Sequence, residues 1–179
     1  MGKCEMICAG FGGQGVLSLG MVVAYAGMYD GKEVSWLPSY GPEMRGGTAN
    51  CAVVVSDTEV ANPMVSKPDI VVAMNKPSVA KFVDAIVPGG YMFINSSLID
   101  TKVDRKDINV VYVDTFKIAH DGGNPKGTNV VMLGAIVEKT GIITKENAKK
   151  AVAYSFKAKP KLIDINLKMF DLGCESVKS

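Results

Sequence analysis

A short apolar run, Glu5 to Ala9, gives way to Gly10-Phe11-Gly12-Gly13-Gln14-Gly15 and then to a helical pattern, Gln14 to Met28, that is apolar on nearly every side. This order limits the fold more than any other stretch of the chain. A helix without a polar face has to be buried, here against a sheet. A strand that passes through glycines straight into such a helix is the opening half of an α/β unit. Gly10, Gly12 and Gly15 satisfy G-x-G-x-x-G in the strand-to-helix setting that the dinucleotide fingerprint requires. Small residues there let a phosphate or another backbone come close, and the unpaired N–H groups of a helix start attract negative charge.

The rest of the chain repeats the alternation. Asp30-Gly31 turns into a second strand, Val34 to Leu37, and Asn50 to Val55 and Ile70 to Met74 are Val/Ala-rich runs without clean alternation, as strands covered on both faces should be. Asn75-Lys76-Pro77 opens a helix with Val79, Phe82, Val83 and Ile86 on one stripe, ended by Pro88-Gly89-Gly90. Tyr91 to Asn95 and Val110 to Val113 are further strands. Thr128 or Asn129 caps an apolar helix from Val130 to about Lys139, stopped by Gly141; Thr144 caps the next, and Pro160 suits the first turn of the last. The expected fold is α/β: a three-layer α/β/α Rossmann-like domain with a mostly parallel sheet and C-terminal helices, one domain over residues 1–179.

Composition excludes several classes. A net charge of +2 in 179 residues, with no Lys/Arg cluster interleaved with aromatics, argues against a nucleic-acid partner. The run Val16 to Tyr29 is too short and too interrupted to span a membrane, and no signal peptide is evident, so the expected location is cytoplasmic. Cys4, Cys8, Cys51 and Cys174 form no Cys-x-x-Cys pair and read as buried free thiols; with a single histidine, no metal site is expected.

A second motif, Ser39-Tyr40-Gly41-Pro42-Glu43-Met44-Arg45-Gly46-Gly47, follows the second strand. Three glycines and a proline fix an irregular backbone path that carries a tyrosine, a glutamate and an arginine. It reads either as a working loop or as a tight turn whose surface Glu–Arg pair is worth well under about 1 kcal/mol. The NAD reading of the first motif weakens here. A dinucleotide site needs an acid at the carboxyl end of strand two, whereas that strand ends Trp36-Leu37-Pro38-Ser39 and Glu33 stands at its beginning.

Together the two motifs resemble the gamma subunit of 2-oxoacid:ferredoxin oxidoreductases. The likeness continues through Ser56-Asp57, Lys67-Pro68-Asp69, Asn95-Ser96-Ser97, Asn129 to Gly134 and Asn166. Trp36-Leu37-Pro38 and Thr48 to Cys51 look most like the 2-oxoglutarate or branched-chain branch, with the pyruvate branch close; Glu43 argues against the indolepyruvate branch. The resemblance implies a complex that converts a 2-oxoacid and coenzyme A to acyl-CoA and carbon dioxide, passing electrons to ferredoxin. Thiamine diphosphate and 4Fe-4S clusters would reside on alpha, beta and ferredoxin-like delta partner chains, none on this chain, which by itself would be inactive.

The resemblance also sets the expected contact residues: Gly10, Gly12, Gly13, Gln14 and Gly15 in the first loop, and Ser39, Tyr40, Gly41, Glu43, Arg45, Gly46 and Gly47 in the second. Both loops are expected to leave the carboxyl ends of neighbouring strands and to meet in a crevice facing the partner chains and coenzyme A. The first would offer N–H groups and the Gln14 amide; the second would offer Arg45, positioned by Glu43. No catalytic residue is assigned, and His120 reads as a residue near a helix end. An independent nucleotide-binding enzyme and an assembly module without ligand contact remain the competing readings. Without its partners the chain is expected to self-associate, with a homodimer as the form considered, through an orphaned apolar surface.

Overall fold

The computed structural model describes residues 2–40 and 48–178, with only the backbone of Tyr40. In chain order the elements are β1 (Lys3–Phe11), α1 (Val16–Tyr29), β2 (Glu33–Tyr40), β3 (Thr48–Ser56), β4 (Ile70–Ala73), α2 (Lys76–Phe82), β5 (Tyr91–Asn95), β6 (Asn109–Val113), α3 (Thr115–Asp121), α4 (Thr128–Thr140), α5 (Lys145–Ser155) and α6 (Ile163–Glu175). A 3-10 turn, Val83–Ala85, extends α2, and another, Pro160–Leu162, leads into α6. The six strands form one mixed sheet in the order β2-β3-β1-β4-β5-β6. Five strands point the same way; β3 runs antiparallel to both neighbours.

The position of β3 corrects one expectation. Strands β1 and β2 are not neighbours, because β3 lies between them. Only residues 41–47 join β2 to β3, and a parallel crossover needs a dozen residues or more, so a hairpin is the connection that fits.

Side chains alternate across the sheet and split the core in two. Cys4, Met6 and Cys8 of β1 point into a large cluster built with α1, α4, α5 and α6, whereas Ile7 and Ala9 point into a smaller one covered by α2. Helices thus cover both faces, with a second helical layer on one side. Helix α4 is buried without a break from Val130 to Val137, because sheet and helices enclose it. It touches α6 backbone to backbone: a Cβ on Gly134 would run into the Phe170 carbonyl, and one on Gly173 into the Val131 carbonyl. The Cys174 thiol donates to the Gly134 carbonyl at the same crossing, 3.3 Å away.

The end of α1 is pinned to the start of α5 by Asp30, whose carboxylate accepts from Thr144 N at 2.7 Å, Thr144 Oγ1 at 2.6 Å and Asn147 Nδ2 at 2.7 Å. Partial burial alone would raise this carboxyl, but the hydrogen bonds from Thr144 and Asn147 outweigh it and hold it below its ordinary value near 3.8.

Two predictions follow from this packing. Gly134→Ala has no room at the helix crossing and should cost about 2–3 kcal/mol in urea unfolding; Gly141→Ala, at an open left-handed position, should cost nearer about 1 kcal/mol. Because the Asp30 carboxyl is lowered by folding, its stabilisation is complete above about pH 4 and is lost as pH falls through the folded value. Asp30→Ala should therefore be less stable than the parent by about 1 kcal/mol at pH 7, with the gap shrinking at pH 3; a gap that is constant with pH would refute the assignment.

Candidate functional site

The first glycine loop is shaped by Gln14. Its Oε1 accepts from Phe11 N at 2.7 Å, and its Nε2 donates to the Met74 carbonyl at 3.0 Å. The folded-back side chain leaves no space beside Gly10, where a Cβ would sit 2.6 Å from Gln14 Oε1. Strand β1 continues into α1 on one face of the sheet and β4 into α2 on the other, so the gap between β1 and β4 is the topological switch point where α/β sheets bind ligands. Gln14 bridges that gap. Each end of its amide makes one hydrogen bond within the chain, and Gln14 also lines the cleft between the starts of α1 and α4.

Gly15 is the N-cap of α1, with φ 73° and ψ 19°. A Cβ there would be strained by this backbone and would meet Asn129 Nδ2 at 2.6 Å. Asn129 donates from Nδ2 to the Gly15 carbonyl at 3.3 Å, docking the start of α4 against the start of α1. Neither Thr128 nor Asn129 caps α4, as the sequence suggested. Gly127 is the N-cap, and its carbonyl accepts from Val130 and Val131, because the Asn129 amide is engaged by Gly15. Helices α1 and α4 both lack a side-chain cap and an acidic residue in the first turn.

Between the two helix starts lies a cleft of about 290 Å³. Gly13, Gln14, Gly15 and Ser18 line it from the glycine loop and α1, Lys126 and Thr128 from the start of α4, and Ser155 and Phe156 from the end of α5. Lys126 is exposed and has no ion-pair partner among the described residues. It was not singled out from the sequence, where the helix was expected to carry a side-chain cap. Two helix starts and an ammonium give this cleft the character of an anion site.

Of the second motif, Ser39 and Tyr40 belong to β2, paired with Asn50 and Ala49 of β3, and not to a loop. Gly41, Glu43, Arg45, Gly46 and Gly47 lie outside the described residues. The register still fixes the edge from which they leave: Phe11 pairs with Thr48 and Tyr40 with Ala49, so both motifs depart from one end of the sheet. They are separated by β3. Glu33 pairs with Ser56 at the far end of β2, away from the glycine loop, where it cannot serve as a ribose acid.

The other candidate groups contribute no chemistry here. His120 is exposed on the last turn of α3, 3.4 Å from Asp121. All four cysteines are buried and free. Burial, with the nearby Asp69 and Glu5 carboxylates, pushes the Cys4 thiol up to about 12, and burial beside Glu138 pushes Cys174 up to about 11. These two thiols stay protonated at neutral pH. Among the described residues no group of three or more His, Cys, Asp or Glu is placed to hold a metal ion, and no helix is long and apolar enough to cross a membrane.

The sequence and fold have counterparts among known proteins. Residues 5–176 match the family model described as pyruvate ferredoxin/flavodoxin oxidoreductase, and this chain belongs to that family. It is 39% identical over 169 residues to ketoisovalerate oxidoreductase subunit VorA of Methanothermobacter thermautotrophicus, covering 93% of this chain and 35% of that protein. The chain thus spans about a third of the length of that relative. It is 36% identical to 2-oxoglutarate synthase subunit KorC of Methanocaldococcus jannaschii, covering 97% of this chain and 94% of that one. The gamma subunit of a keto/oxoacid ferredoxin oxidoreductase from Geobacter sulfurreducens superposes with a TM-score of 0.83 at 31% identity, covering 97% of this chain and 98% of that one.

The Gln14 brace predicts that Gln14→Ala, which removes two hydrogen bonds at the switch point, lowers stability by about 1–2 kcal/mol in urea unfolding. An unchanged midpoint would show that the brace does not hold in solution.

Proposed function

We propose that this chain is the gamma subunit of a 2-oxoacid:ferredoxin oxidoreductase. The complex would convert a 2-oxoacid and coenzyme A to acyl-CoA, carbon dioxide and one proton, with two electrons passed to ferredoxin. Residues 1–179 would act as one domain set against alpha, beta and ferredoxin-like delta partners. Thiamine diphosphate on a partner chain supplies the decarboxylation chemistry when bound, and 4Fe-4S clusters on partner chains carry the electrons.

The observation that carries this reading is the cleft at the starts of α1 and α4, on the end of the sheet from which both glycine motifs leave. Coenzyme A carries a pyrophosphate and a 3′-phosphate. The backbone N–H groups of Gly12, Gly13 and Gly15, with Lys126 across the cleft, meet such groups with hydrogen bonds and charge at little cost in ordering. Arg45 and Glu43, on the segment joining β2 to β3, would extend the contact toward the partner chains. Ser39 and Tyr40 would support that segment from the end of β2, with Gly41, Gly46 and Gly47 shaping it. Gly10 acts indirectly, by making room for the Gln14 brace.

Relatives named for ketoisovalerate and 2-oxoglutarate support a substrate from the branched-chain or 2-oxoglutarate groups. The residues that read its side chain would lie on other chains. The test is turnover by the assembled complex of 2-oxoglutarate, 2-oxoisovalerate and pyruvate, with coenzyme A and ferredoxin. Lys126→Ala and Arg45→Ala should each raise the KM for coenzyme A about tenfold or more, as the loss of a charged hydrogen bond would, with the KM for the 2-oxoacid unchanged. Normal kinetics in a fully assembled complex would defeat the proposed contact.

A further inference from the structure

Lys126 sits on the turn between α3 and α4, and that turn is held from behind by α6. Asn166 of α6 is buried, 3% exposed. Its Oδ1 accepts from Asn124 Nδ2 at 3.1 Å, and its Nδ2 donates to the Leu162 carbonyl at 2.8 Å. Asn124 in turn shapes the turn: its carbonyl accepts from Gly127 N at 2.8 Å, and its own N–H donates to the Ala119 carbonyl at 2.9 Å. Gly127 is seated on α6, since a Cβ there would lie 2.7 Å from Met169 Cγ and 2.8 Å from Asn124 Nδ2. Lys168 Nζ adds a bond to the Gly122 carbonyl at 3.0 Å.

A buried amide is costly unless its hydrogen bonds are made, and an apolar residue would fill this core position at less expense. Nor does α6 need a polar residue there, since the Leu162 carbonyl lies in its own preceding turn. What the amide adds is the bond to Asn124, which fixes where Lys126 and the Gly127 start of α4 stand relative to Gly13 and Gly15.

We infer that Asn166 and Asn124 are positioning residues for coenzyme A: their hydrogen bond sets the turn that presents Lys126 to the cleft. The inference rests on the reading of the cleft given above. Small misplacements of a binding group are enough to weaken a contact of this kind.

The experiment measures steady-state kinetics of the assembled complex with coenzyme A as the varied substrate, for Asn166→Ala, Asn124→Ala, the double variant and Lys126→Ala. Each asparagine variant should raise the KM for coenzyme A about three- to tenfold, the effect of one lost hydrogen bond, while kcat and the KM for the 2-oxoacid stay unchanged. The double variant should match either single one, because both remove the same bond. Adding Asn166→Ala to Lys126→Ala should change nothing further. If Lys126→Ala raises the KM but neither asparagine variant does, or if Asn166→Ala weakens binding equally without Lys126, the positioning role is overturned and the cleft stands. If Lys126→Ala itself has no effect, both readings fall. Should Asn166→Ala not assemble, Asn124→Ala at the half-buried turn decides the question alone.

Discussion

The close crossing of α4 and α6 at Gly134 and Gly173 is the contact on which the rest of the arrangement depends. With no side chain between them, the two backbones meet, and α4 is enclosed from Val130 to Val137. A helix enclosed in that way cannot slide or rotate without opening the core, because interiors are close-packed. Its start is therefore fixed in space, and so is everything attached to it. Asn129 reaches Gly15, Gly127 rests on Met169, and α6 carries Asn166 and Lys168 over the turn before α4. A contact deep in the helical layer thus sets the shape of a cleft at the surface.

The glycine loop shows how a familiar motif can serve another purpose. In a dinucleotide site, the switch point between oppositely directed crossovers is left open for the ligand. Here Gln14 fills it, tying Phe11 to Met74. The unpaired N–H groups of the helix start remain, but the floor of the crevice is closed and the acid of β2 lies at the wrong end. The open space lies to one side of the switch point, in the cleft where α1 meets α4. The spacing G-x-G-x-x-G describes the backbone that such a loop needs; Gln14 decides which side of it is accessible.

Much of this was legible in the sequence. The six strands, the buried character of α1 and α4, the Thr144 cap and the stop at Gly141 all follow from local pattern and capping chemistry. The antiparallel course of β3 was also written there, in the shortness of the segment 41–47, but strand composition alone does not show direction. The roles of Gln14 and Asn129 were hidden because their partners are remote: Met74 and Gly15 are brought to them only by the fold. Lys126 escaped notice for a related reason. A lysine in a Gly/Pro/Asn turn looks like any solvated charge until a second helix start is placed across from it. The pairing of Tyr40 with Ala49 fixes the sheet end from which the Gly41 to Gly47 segment leaves.

That shared end bears on how the chain works. Both motifs leave the same end of the sheet, with one strand, β3, between them. Among the described residues the cleft beside α1 is lined by loop backbone, by the hydroxyls of Ser18, Thr128 and Ser155 and by the Lys126 ammonium, with no His, Cys, Asp or Glu in its wall. The four cysteines are buried, and His120 is exposed on α3, away from the cleft wall. A surface with this inventory can orient a reactant and exclude water from one flank while the reacting atoms meet groups elsewhere. The length of the VorA relative agrees with that division, since this fold accounts for about a third of it. The described residues form a rigid sheet edge, braced from the core outward by α4 and α6.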